Sequence, residues 1–75
     1  MKEKELIEYI ARQLVEKPEK VFVKETHGNS VTVLELHVDR EDMGRVIGKD
    51  GRVANALRTL LRVVSQDRRV VLEIV

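Results

Sequence analysis

Seven residues near the middle of the chain, Val46-Ile47-Gly48-Lys49-Asp50-Gly51-Arg52, constrain its fold more than any other stretch. Two glycines stand three apart, with an apolar pair before them and a helical pattern after. The spacing predicts a tight, side-chain-poor turn between two helices, where the backbone can approach an extended ligand closely. The N-terminus of the second helix offers unpaired N–H groups and the positive end of its dipole. Lys49 and Arg52 add full positive charges at the same place, and the combination suits a phosphate backbone.

The rest of the chain frames this turn. Residues 3–16 read as a helix, with Leu6, Ile7, Ile10, Ala11 and Leu14 on one face and Glu3 and Glu5 at the favourable end of the dipole. Pro18 ends it, because its ring disfavours helix at the preceding residue. Residues 20–27 read as a strand and Gly28-Asn29 as a hairpin turn, since both tolerate positive φ. Residues 30–38 form the second strand, with Thr32, Leu34, Leu36 and Val38 on the better core face. Asp39 reads as an N-cap and Asp42 as the second member of an imperfect capping box. A short helix over residues 40–47 stops at Gly48. A longer helix over residues 51–64 follows, with an apolar stripe of Val53, Ala54, Leu57, Leu60, Leu61 and Val64. Ser65-Gln66-Asp67 is a turn, and residues 69–75 are the last strand. The order is α-β-β-α-α-β. It predicts a single α+β domain over residues 1–75: a three-stranded mixed sheet with the three helices on one face.

Net charge is only +1, but its distribution is uneven. Residues 1–42 carry seven Lys/Arg against ten Asp/Glu, and residues 43–75 carry seven against three. The basic half begins where the glycine turn begins, a pattern expected of a polyanion-facing surface.

Other chemistries find little support. There is no cysteine, and His27 and His37 lie in strands without partners at metal-ligand spacing, so neither a metal nor a cofactor is expected. The glycines lack the spacing of a nucleotide P-loop, and no Ser/His/Asp or Cys/His set points to an enzyme. The apolar runs are too short to span a membrane, and no h-region follows the charged N-terminus, so a cytoplasmic protein is expected.

The segment from Asp42 to Arg52, with Ala54, Leu57, Arg58, Leu60 and Leu61 after it, resembles the KH domain of the prokaryotic type (type II). More narrowly, it is similar to the small single-domain bacterial KH proteins of the KhpA type. A bare Gly-x-x-Gly arises often by chance. Val-Ile before it, Arg after it, the flanking helices and the strand order make the resemblance specific, and it runs over essentially the whole chain. The resemblance implies a non-enzymatic single-stranded RNA-binding protein that clamps about four nucleotides, acting as an RNA chaperone or post-transcriptional regulator. Carried over by position, Gly48 and Gly51 make the loop and Lys49 is its basic tip. Ile47 and Ala54 line an apolar floor with Leu57 beneath, and Leu36 and Val38 form the far wall. Arg45, Lys49 and Arg52 would meet phosphates. Arg58 and Arg62 either extend the basic surface or form a solvated face.

Asp50 sets a negative charge beside Lys49, which points to modest affinity. It caps the following helix near Arg52 or Val53, the preferred reading, or contacts a base. Tyr9 and Phe22 are the only aromatics and neither is near the loop, so stacking is not available and low sequence specificity follows. The alternative is an assembly module. Val31, Val33, Val71 and Val75 share the second sheet face and could cover one another in a homodimer. The resemblance likewise implies dimerisation and a larger KH-containing, KhpB-like RNA-binding partner.

Overall fold

The computed structural model describes residues 3–66 and 68–75. Helix α1 (Glu3–Leu14) is followed by strands β1 (Phe22–His27) and β2 (Val31–His37), helices α2 (Met43–Ile47) and α3 (Arg52–Val64), and strand β3 (Arg69–Ile74). The α+β order read from the sequence is therefore the order observed. The strands form one sheet in the order β1-β2-β3. β1 runs antiparallel to β2, with Phe22 opposite His37 and His27 opposite Thr32. β3 runs parallel to β2, with Val31 opposite Arg69 and Leu36 opposite Ile74.

Alternation along β2 turns Thr32, Leu34 and Leu36 into the core. There they meet Ile7 and Ala11 of α1, Val23 of β1, Val46 of α2, Leu57 and Leu61 of α3 and Leu72 of β3. Each such aliphatic side chain contributes about 1.5–3 kcal/mol by leaving water. The partly buried Leu6 and Ile10 of α1 flank Ile7 and Ala11, as the helical spacing predicts, and Leu14 at the helix end is exposed.

Several boundaries differ from expectation, each for a local reason. α1 ends at Leu14, not at residue 16, because the chain is drawn into a 3-10 turn at Pro18–Lys20 that also takes Lys20 out of β1. The hairpin turns about Asn29-Ser30, not Gly28-Asn29. Gly28 N–H donates to Val31 O at 2.7 Å, and positive φ occurs only at Gly48, Asp50 and Gly51 among the described residues. Asp39 does cap the next turn, accepting from Glu41 N–H at 3.0 Å. Asp42 forms no capping box. Its carboxylate, 1% exposed, reaches across to accept from Glu16 and Lys17 N–H, both at 3.1 Å. Those donors follow the last turn of α1 and would otherwise be orphaned, so the carboxylate ties the start of α2 to the end of α1. Asp67 of the expected 65–67 turn lies outside the described residues.

A second tie joins the other end of α1 to the α3–β3 connection. Glu3 accepts from Arg68 Nη2 and from Ser65 Oγ, both at 2.6 Å. The hydrogen bond from Arg68, then that from Ser65, hold the Glu3 carboxyl down to about 2, so it is ionised at neutral pH. Both sheet edges are also plugged by side chains. Val23 N–H donates to Glu8 and Val21 O accepts from Arg12 at the β1 edge, while Arg58 donates to Leu72 O at the β3 edge. Such plugs discourage edge-to-edge pairing with another chain. Among the described residues no helix is long and apolar enough to cross a membrane.

Candidate nucleic-acid interface

Gly48 ends α2 with φ 79° and ψ 168°, a region that is essentially glycine-only. Its N–H donates to Gly44 O at 2.9 Å and its carbonyl accepts from Gly51 N–H at 3.1 Å, which closes a single 3-10 turn over Lys49–Gly51. Gly51 then enters α3 in the left-handed region at φ 77°, ψ 13°. A Cβ on Gly48 would stand 2.5 Å from Val53 Cγ2 and 2.9 Å from Val53 N, so this glycine lets the loop lie directly on the first turn of α3. A Cβ on Gly51 would meet nothing closer than Asn55 Nδ2 at 3.8 Å. The first glycine is needed for contact and conformation, the second for conformation alone.

Asp50 does not cap α3. Among the described residues no side chain caps that helix, and Asp50 instead occupies the left-handed region at φ 58°, ψ 22°. Aspartate tolerates that conformation better than most side chains, so its role in the loop is to make the turn. The loop's backbone is braced by Arg52, whose Nε donates to Lys49 O at 3.2 Å.

The structure separates the expected site residues into three groups. Ile47, Lys49 and Arg52 are exposed at the loop, with Ile47 37% exposed; Ala54 and Leu57 are buried just beneath. Leu36 is 0% exposed and belongs to the core, and Val38 is partly buried against that core, so the central strand does not offer the wall assigned to it. Arg45 is committed elsewhere. It pairs with Glu16 at 3.2 Å and lies 3.5 Å from Asp42, because α2 leans on the end of α1.

The wall that faces α3 is β3, the edge strand. Val75 N–H donates to Leu36 O, and in a parallel ladder the alternation that follows turns the backbone N–H and C=O groups of Val70, Leu72 and Ile74 toward the free edge. Leu72 O accepts from Arg58 Nε and Nη2, at 3.4 and 3.2 Å, which bridges the cleft at mid-height. Arg58 also donates to Asn55 Oδ1, while Arg62 donates to Thr59 Oγ1. β3 was not among the walls expected for the cleft. Its signal was the short connection after α3, which leaves the last strand beside the helix that precedes it.

Charge follows this cleft. Of the seven basic residues after position 42, Arg45 and Arg68 are paired with carboxylates. Lys49, Arg52, Arg58, Arg62 and Arg69 form no salt bridge among the described residues. The face of the sheet away from the helices is of a different character. There Phe22 stacks on His37 with centroids 4.4 Å apart, Val31, Val33 and Val71 are half-buried, and Val75 is 55% exposed.

A glycine-x-x-glycine loop between two helices, set beside a parallel edge strand, defines a KH domain of the prokaryotic type, and this fold falls in that class. The family described as KhpA/KhpB, KH domain, matches residues 4–74, and the chain belongs to that family. It is 50% identical over 74 residues to the RNA-binding protein KhpA of Clostridium perfringens, covering 96% of this chain and 99% of that protein. It is 47% identical over 73 residues to the RNA-binding protein KhpA of Aquifex aeolicus, covering 95% and 92%. Among solved structures it is similar to Era in complex with MgGDPNP and nucleotides 1506–1542 of 16S ribosomal RNA. That likeness has a TM-score of 0.60 and 26% identity, and covers 96% of this chain but 28% of the other.

Proposed function

We propose that this chain binds single-stranded RNA in the cleft between the residue 48–51 loop with α3 on one side and the edge of β3 on the other, and that it acts by binding and not by catalysis. The observation that carries the reading is the coincidence of the glycine loop with Lys49 and Arg52, whose charges no carboxylate neutralises among the described residues. In this reading, the loop backbone and the N-terminus of α3 receive phosphates, Ile47 offers an apolar contact to bases, and the outward backbone groups of β3 meet base edges. The names of the KhpA relatives and the RNA in the Era complex support it. With Phe22 stacked on His37 across the sheet from the cleft, recognition relies on backbone clamping and selects little by sequence. Such a protein fits a cytoplasmic RNA chaperone or post-transcriptional regulator. The test is a titration of a short fluorescent single strand against the native chain and its Lys49→Asp variant. Saturable binding lost on substitution supports the reading; equal binding by both overturns it.

Self-association is a second reading, and one observation favours it on a surface other than the valine face of the sheet. Leu60, Val63 and Val64 on the outer side of α3 are 42%, 59% and 49% exposed, a contiguous apolar stripe by helical spacing. It lies around the helix from Arg58 and Arg62, so pairing with a second copy or a larger KH-containing partner leaves the basic cleft open. Sedimentation equilibrium checks it: a dimer that Leu60→Lys converts to monomer is the expected result, and a strict monomer at high concentration contradicts homodimerisation.

A further inference from the structure

We infer that the cleft continues beyond the loop clamp into a second backbone-binding subsite at the foot of α3, so that the chain holds a longer single strand than the clamp alone accounts for; this rests on the function proposed above. A cavity of about 510 Å³ lies between α3 and β3, with Arg58, Arg62, Ser65 and Arg69 in its lining. A second, of about 320 Å³, lies under the β1–β2 hairpin and is lined by Asn29, Ser30 and Thr32. Arg68 and Arg69 line both, so the concave surface is continuous from the cleft to the hairpin turn.

The charges at this foot are of two kinds. Arg68 is tied to Glu3 at 2.6 Å and is spent on holding α1. Arg62 and Arg69 are exposed and form no salt bridge among the described residues; Arg62 donates to the neutral Thr59 hydroxyl. At about 1.5 Å of rise per residue, Arg62 stands roughly 15 Å along α3 from Arg52. Cations that far from the loop cannot serve the phosphates the loop holds, and among the described residues they neutralise no carboxylate. A polyanion with regularly spaced charges uses both ends at once. Asn29 and Ser30 add neutral hydrogen-bonding groups where the track leaves α3. Single-stranded nucleic acid fits this better than an acidic peptide, because unpaired cations stand both at the loop, in Lys49 and Arg52, and around the cavity, in Arg58, Arg62 and Arg69.

The experiment compares tetrauridylate and octauridylate, titrated against the native chain, the Arg62→Ala/Arg69→Ala variant and Lys49→Asp, with thermal unfolding to confirm each fold. The native chain is expected to bind the octamer at least tenfold tighter than the tetramer, beyond the several-fold statistical gain of a longer strand. The double variant is expected to lose that excess and keep the tetramer affinity, while Lys49→Asp weakens both. Only a statistical gain in the native chain, or a double variant that loses tetramer and octamer alike, overturns the second subsite and leaves the clamp standing. An oligoglutamate peptide that displaces the octamer as well as unlabelled octamer does overturns it in favour of a protein partner. A tetramer that does not bind, or binds regardless of Lys49→Asp, overturns the clamp itself and this inference with it.

Discussion

Lys49→Asp is expected to lower the affinity for short single-stranded RNA at least tenfold at about 0.15 M salt, without moving the unfolding midpoint. The substitution changes the loop by two charge units and leaves two carboxylates side by side, since Asp50 is already there. A unit charge about 6 Å from a phosphate interacts by about 0.7 kcal/mol at the dielectric constant of water, and by several times that near a protein surface. Two units amount to about 1.4 kcal/mol at the lower figure, a factor of ten, with the surface dielectric offsetting salt screening. The slope of log affinity against log salt should fall by about one as a phosphate contact is lost. Stability is spared because the Lys49 side chain is exposed and makes no salt bridge among the described residues; the loop is braced through its carbonyl, which the substitution keeps. Anisotropy titrations across a salt series, with thermal unfolding alongside, check both halves.

Gly48→Ala is expected to damage the fold and Gly51→Ala much less, although the motif treats the two glycines alike. At Gly48 the backbone conformation itself costs a side chain roughly 1–3 kcal/mol. The added Cβ also meets Val53 Cγ2 at 2.5 Å and the Val53 backbone N at 2.9 Å, and the backbone atom cannot swing away as a rotamer could. A loss of about 3 kcal/mol follows, which for a domain of this size lowers the melting temperature by roughly 12–24 °C. At Gly51 the site is open, with Asn55 Nδ2 the nearest atom at 3.8 Å. Only the left-handed φ opposes a side chain there, at about 1–2 kcal/mol. Thermal unfolding of the two variants side by side measures the difference; equal melting temperatures would contradict the loop geometry described here.

What could be read from the sequence was what local chemistry dictates. Period-two alternation over residues 31–37 and helical spacing over residues 52–64 each leave a pattern along the chain, and both elements stand where that pattern put them. The loop was legible because the two glycines stand with Val-Ile before them, Arg after them and a helical pattern on either side. Asp42 was not. It satisfies donors at Glu16 and Lys17, some 25 residues away, and no sequence spacing announces such a contact. Asp50 was misread because the same residue type serves both as a helix cap and as a left-handed turn residue, and only the backbone angle separates the two. Arg45 carries the same formal charge as Arg52, but the fold sets Glu16 beside the one and no carboxylate beside the other among the described residues. The error over Leu36 was one of topology. Alternation correctly turned it toward the helices, and side chains from α1, α2 and α3 then buried it, leaving the edge strand to face the cleft.

The proposed function sets the bound strand between the glycine loop and the edge of β3. Amide chemical-shift mapping of the native chain during titration with a short single-stranded RNA checks that placement. The predicted result is a contiguous set of shifts over residues 47–54 and 70–74, with Val31, Val33 and the Phe22–His37 pair on the opposite sheet face unmoved. Shifts centred on that opposite face or on α1, with residues 48–51 silent, would contradict it.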